Sequence, residues 1–203
     1  MTPEKRLGLV LVVNVTMILA LLLVGVLAHS LGVLASGADY LGDALGTGLS
    51  LAALRLSQRH RGQQQLTSYA ALVNASLLLL VTLAVAVEAV YRLTVGAPSV
   101  HGGPVVIVSL TAALAMIACA FILGDVAGDL SMQSVMLDSV ADAAAAIGVA
   151  LSGAIILITG GNDWLDPVVA LVIAAVVAYH AIKLVQRVLV RLRESPRAVR
   201  GME

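Results

Sequence analysis

Six apolar stretches run through the 203-residue chain, at residues 8–28, 31–54, 67–91, 104–124, 134–158 and 165–186. A bilayer core about 30 Å thick is crossed by ~20 apolar residues of α-helix. Each stretch is therefore predicted to span a membrane. The connections are a His29-Ser30 turn and residues 55–66, 92–103, 125–133 and 159–164, too short to hold a soluble domain. The expected fold is an all-α bundle of six transmembrane helices over residues 1–190, with a short basic tail at 191–203. That tail is expected to extend the last helix. The first stretch is longer than a signal-peptide core and lacks a small-residue cleavage site, so it reads as a span. With 60% hydrophobic and 12% charged residues, the chain has half the charge of an ordinary soluble domain. That balance excludes a disordered chain, a basic nucleic-acid binder and a water-soluble globule. One cysteine excludes a disulfide framework and a cysteine-rich zinc module.

The cationic residues orient the bundle. If the N-terminus is cytoplasmic, so are Lys5 and Arg6, then Arg55, Arg59 and Arg61, and finally Lys183, Arg187, Arg191, Arg193, Arg197 and Arg200. Arg92 alone falls outside, leaving eleven of the twelve Lys and Arg on one side. Cytoplasmic loops carry such an excess, so both termini are expected in the cytoplasm. Tyr91 and Trp164 fall at the outer boundary, where amphipathic rings settle.

Against this apolar background four aspartates stand out. Asp39 and Asp43 lie in the second stretch, Asp138 and Asp142 in the fifth. A charge at the centre of a bilayer costs at least ~2.5–3.5 kcal/mol and marks function by default. Spacing of i, i+4 puts both carboxylates of a pair on one helix face. At 1.5 Å per residue, Asp39 and Asp43 lie about 12 and 18 Å below the outer surface, and Asp142 about 12–15 Å above the inner one. If the second and fifth helices touch, four carboxylates converge near the midplane. A divalent cation supplies the missing positive charge and competes with protons for the same oxygens. A midplane site that exchanges protons for a dication is the core of an ion-coupled transporter. The two segments are also alike: Asp39-Tyr-Leu-Gly-Asp43-Ala and Asp138-Ser-Val-Ala-Asp142-Ala, each followed by glycines and serines. Two three-helix halves would then be inverted repeats, with the site at their interface.

At these residues the sequence resembles the cation diffusion facilitator family of metal exporters, over about residues 8–190. The resemblance is carried by Asn14 in the first helix and by the entry to the second, His29-Ser-Leu-Gly-Val-Leu-Ala-Ser-Gly-Ala-Asp39-Tyr-Leu-Gly-Asp43. Asn74, Glu88-Ala-Val-Tyr-Arg92 and Trp164-Leu-Asp166-Pro167 add to it. It implies six helices, a tetrahedral metal site between the second and fifth, and proton-coupled export from the cytosol, in a prokaryotic inner or plasma membrane. By position the ligands are Asp39, Asp43, Asp138 and Asp142. The metal is substrate, Zn²⁺ or Mn²⁺ with Fe²⁺ and Cd²⁺ as further candidates; no cofactor is bound permanently. Family zinc exporters carry His where Asp138 stands, and Asp there is usual in the manganese branch. Carboxylate oxygens suit harder cations, although Zn²⁺ binds more tightly than Mn²⁺ in general, and the balance leans slightly to manganese-like selectivity. The family's usual cytosolic C-terminal domain has no counterpart before Glu203, as in a naturally short member or a truncated chain, so dimerisation is expected either through membrane helices or not at all. The usual metal-binding loop between the second and third helices is reduced to His60 among arginines.

Other polar residues have plainer readings. Asp125 and Asp129 sit at the cytoplasmic end of the fourth helix, as a hydrated loop or as an acidic funnel for cations. Glu88 and Arg92 are spaced for an interfacial ion pair. Asp166 before Pro167 suits the capping of a helix start. Asn14 either faces the site or bonds a neighbouring helix. Cys119 reads as a small core residue. His29, His101 and His180 fall near predicted boundaries and carry no pattern. An intramembrane aspartyl protease needs Gly-x-Gly-Asp, which Tyr40, Ile122 and Val126 interrupt before the three aspartates that follow a glycine. A metal-permeable channel or a non-transporting partner subunit remains the alternative to an exporter.

Overall fold

A computed structural model describes residues 3–56, 64–124 and 130–200, with side chains described over 5–48, 72–123 and 136–186. His60, Asp125 and Asp129 therefore lie outside the described residues. Among the described residues there are six helices and no strand: α1 (Pro3–Leu27), α2 (Leu31–Leu56), α3 (Gln64–Val95), α4 (Gly102–Gly124), α5 (Leu130–Thr159) and α6 (Leu165–Arg200). The six match the six predicted stretches. α5 begins inside the predicted 125–133 connection, and α6 continues through the basic tail to Arg200.

Among the described residues, five of these helices are long and apolar enough to cross a membrane, over Lys5–Leu27, Leu72–Val95, Gly102–Leu123, Met136–Thr159 and Leu165–Gln186. α2 is not among them, which departs from the expectation that all six stretches are apolar enough to span. Its position supplies the reason. α2 packs against α1, α3, α5 and α6. Ser30, Leu31, Val33, Ala35, Ser36, Ala38 and Tyr40 are all buried. A helix surrounded by other helices needs no lipophilic face, so it can carry Asp, Ser and Thr. The large apolar side chains instead point outward on the other helices, as Leu19, Leu80, Ile107, Phe121, Ile158 and Val172 do. Such an exposed apolar surface is suited to lipid, and the small residues inside let helices approach closely.

α4 and α5 approach most tightly at Gly102 and Gly153. A Cβ on Gly102 would strike the Gly153 carbonyl oxygen, and one on Gly153 would lie 2.6 Å from Val105 Cγ1. At the other end of α4, Arg6 of α1 donates from Nη1 to the Ile122 carbonyl at 2.6 Å.

The α1–α2 turn is built by its backbone. His29 takes a left-handed φ of 56°. The His29 amide donates to the Val26 carbonyl at 3.3 Å and the Ser30 amide to the Gly25 carbonyl at 3.0 Å. This pair of bonds is the Schellman helix end, which satisfies the last carbonyls of α1. Arg92 of α3 then donates from Nη1 to the His29 carbonyl at 2.7 Å. The same guanidinium pairs through Nε with Glu88 Oε1 at 2.9 Å, as the i, i+4 spacing predicts.

Candidate metal centre

The start of α2 is held from α6. The Asp166 side chain, fully buried, receives the Leu31 amide on Oδ2 at 2.6 Å and the Gly32 amide on Oδ1 at 3.2 Å. Ser30 Oγ donates to Oδ1 at 2.5 Å and itself accepts the Val33 amide at 3.2 Å. The first amides of a helix have no partner within it, and here each finds one. The capping predicted for Asp166 thus serves α2, 135 residues away in sequence, rather than its own helix. The carboxylate also complements the positive end of the α2 dipole.

From that fixed start α2 descends to Asp39 and Asp43, on one face as the spacing requires. α5 brings Asp142 to them. Oxygens of Asp39, Asp43 and Asp142 all lie within 4.8 Å of one another. Carboxylate oxygens on one Zn²⁺, each at about 2.0–2.2 Å, can be at most ~4.4 Å apart. The trio is therefore close enough for one ion to bridge once the side chains adjust around it. Asp142 is buried at 5% exposure; Asp39 and Asp43 are partly buried.

These three carboxylates line a cavity of about 220 Å³ whose wall also includes Asp138, Val172, Ile173, Val176 and His180. A water's share of liquid volume is ~30 Å³, so the space admits a cation with part of its hydration shell. Asp138 is exposed on this wall and outside the close trio. The predicted four-aspartate convergence is thus three close carboxylates with the fourth at the wall. Asp138 lies one helical turn from Asp142 on α5, and a turn moves a side chain about 5.4 Å along the axis.

Asn14 is buried at 3% exposure but is not among the residues lining this cavity, and its Oδ1 has no hydrogen-bond partner. It belongs to the buried stripe of α1 with Leu7, Val10, Ile18 and Leu21. Cys119 is buried and free, as read from the sequence. His180 is the residue that sequence reasoning missed. The signal was present: Val172, Val176 and His180 repeat every four residues, so they share one stripe of α6. Nothing in α6 alone says that this stripe faces the carboxylates.

A family model described as the cation efflux transmembrane domain matches residues 7–192. Among curated proteins, the chain is 28% identical to the zinc transporter ZitB of Yersinia pseudotuberculosis over 191 residues, 90% of this chain and 61% of that protein. It is 29% identical to ZitB of Pectobacterium atrosepticum over 186 residues, 88% of this chain and 58% of the relative. It is 25% identical to the cadmium, cobalt and zinc/H(+)-K(+) antiporter of Bacillus subtilis over 162 residues, 75% of this chain and 51% of the relative. The chain thus aligns with about half to three-fifths of the length of these relatives.

Proposed function

The chain belongs to the cation efflux family, and from that premise we propose that it exports divalent transition-metal cations from the cytosol in exchange for protons. The observation that carries this reading is the Asp39, Asp43 and Asp142 trio, drawn from two helices into one cavity of an apolar bundle. Three carboxylates inside a bilayer are costly unless a cation or protons occupy them. Asp39, Asp43 and Asp142 hold the ion, and Asp138 completes the shell when α5 shifts toward α2. Protons arriving on the same oxygens release it. Both termini face the cytosol, because the excess of Lys and Arg lies at that end. α1–α3 and α4–α6 act as inverted halves with the site between α2 and α5. The membrane is a bacterial plasma membrane, as the organisms of the relatives suggest.

Zn²⁺ is the leading substrate, with Cd²⁺ and Co²⁺ beside it and Mn²⁺ weaker. The relatives are named for zinc, cadmium and cobalt. His180 adds an imidazole to a wall otherwise made of oxygens and hydrocarbon, and imidazole suits borderline cations. The test is transport by the purified chain in liposomes under a proton gradient, following Zn²⁺, Cd²⁺, Co²⁺, Mn²⁺ and Fe²⁺ with an internal pH dye. Metal flux with opposite proton flow, silenced by Asp142→Asn, is the expected result. Metal flux without proton movement assigns the chain to the channel class instead, and no flux for any metal makes it a partner subunit.

A further inference from the structure

The end of the bundle opposite Arg6 and Lys183 carries two histidines that the transport cavity does not use. His29 and His101 are both exposed, and their ring centroids lie 6.0 Å apart with a 37° tilt. Their backbones are tied to the same turn. The His101 amide donates to the Ala28 carbonyl at 3.1 Å, and the His29 carbonyl accepts from Arg92. The neighbouring Val100 amide donates to Asp163 Oδ1 at 2.9 Å, which fastens this segment to the approach to α6. His29 occupies the left-handed position that glycine usually takes at a helix end. The fold therefore presents two imidazoles from segments 72 residues apart in sequence, on anchored backbone, side by side at the surface.

Their spacing suits one metal ion. With a Zn–N bond of about 2.0–2.1 Å, two imidazoles in tetrahedral coordination place their ring centroids roughly 5.2 Å apart. Closing from 6.0 Å requires each ring to move by about 0.4 Å, well within side-chain freedom. We propose that His29 and His101 form a second divalent-metal site at the α1–α2 turn, separate from the carboxylate cavity. It takes borderline cations such as Zn²⁺, Co²⁺, Ni²⁺ or Cu²⁺ rather than Mn²⁺ or Mg²⁺, since its two protein donors are imidazole nitrogens. Water fills the remaining positions, so the ion exchanges readily. The bound ion clips the α1–α2 turn to the start of α4.

The site does not depend on the transport reading and is tested apart from it. The full chain is purified in detergent, both as wild type and with Asp39→Asn, Asp43→Asn and Asp142→Asn together to disable the cavity's close carboxylate trio (the Asn variant). Zn²⁺ alone is titrated by equilibrium dialysis, and Cu²⁺ alone is followed by EPR. The expected result is one Zn²⁺ per chain retained in the Asn variant and, in that variant, a Cu²⁺ spectrum with two equatorial nitrogens. His29→Asn keeps a residue that tolerates the left-handed backbone. It and His101→Gln should each weaken Zn²⁺ binding in that background by tenfold or more and reduce the Cu²⁺ signature to one nitrogen. Zn²⁺ binding that survives both substitutions overturns the proposal and assigns the ion to another histidine. Absence of bound Zn²⁺ in the Asn variant, or a single-nitrogen Cu²⁺ spectrum in that variant, overturns it as well.

Discussion

The Asp166 carboxylate at the start of α6 accepts the Leu31 amide at the start of α2 at 2.6 Å, joining two helix beginnings that are neighbours only in space. Because Leu31 is eight residues above Asp39, this bond sets the axial position of the α2 carboxylates, the nearer about 12 Å away. Asp166→Ala would leave the amides of Leu31 and Gly32 and the Ser30 hydroxyl without their acceptor in a buried place. Orphaned buried donors cost ~1–3 kcal/mol each in the least relaxed case, and loss of a helix cap ~0.5–2 kcal/mol. Thermal unfolding of the detergent-solubilised protein should show a loss of about 2–4 kcal/mol for Asp166→Ala. Ser30→Ala should cost about 1 kcal/mol, because Asp166 still receives both amides. Equal effects of the two substitutions would argue against Asp166 as the principal anchor.

The cavity predicts a graded series among the aspartates. Asp142 is the most buried and touches the α2 pair, whereas Asp138 stands on the wall. Neighbours that only orient metal ligands are worth 10–100-fold in affinity, so removing a ligand itself should cost about 100-fold or more. Asp39→Asn, Asp43→Asn and Asp142→Asn should each abolish measurable Zn²⁺ binding at the cavity. Asp138→Ala should weaken it by about tenfold. Isothermal titration on a chain lacking His29 and His101 separates this site from the surface pair. An Asp138 effect as large as that of Asp142 would show that α5 moves to bring all four carboxylates onto the ion.

His180 should tune which metal is preferred. Removing the one imidazole on the cavity wall leaves oxygen donors, which favour harder cations. His180→Gln is expected to lower the Zn²⁺-to-Mn²⁺ transport ratio by about tenfold, with total flux of Mn²⁺ unchanged. Competition flux in liposomes reads this directly. A ratio that does not move removes His180 from the selectivity account.

The α4–α5 contact should be the least tolerant packing surface. At Gly153 an added Cβ would meet Val105 at 2.6 Å, and the opposing Gly102 has backbone in its way. Gly153→Val should destabilise the protein by about 3 kcal/mol or more, in line with overpacking of a rigid contact. Gly148→Ala, five residues earlier on the same helix with open space around it, should be near neutral. Unfolding midpoints of the two variants decide the matter.

Much of this was legible in residues alone. Six helical stretches follow from apolar runs of bilayer length, because a buried backbone must satisfy its own hydrogen bonds. The pairing of Asp39 with Asp43, and of Glu88 with Arg92, follows from helical periodicity, a local property. Membership of a metal-exporting family was carried by motifs spread along the chain. Tertiary structure decided everything that depends on which faces meet. It turned Asp166 from a cap of its own helix into the anchor of α2, drew Asp142 rather than Asp138 to the α2 pair, and set His180 on the cavity wall. It also explained how α2 can fall short of the apolarity of the other helices: its neighbours shield it from lipid. Those outcomes turn on the rotation and axial position of one helix against another. They are set by side-chain packing between segments as far apart as Leu31 and Asp166, a relationship that helical period and composition do not encode.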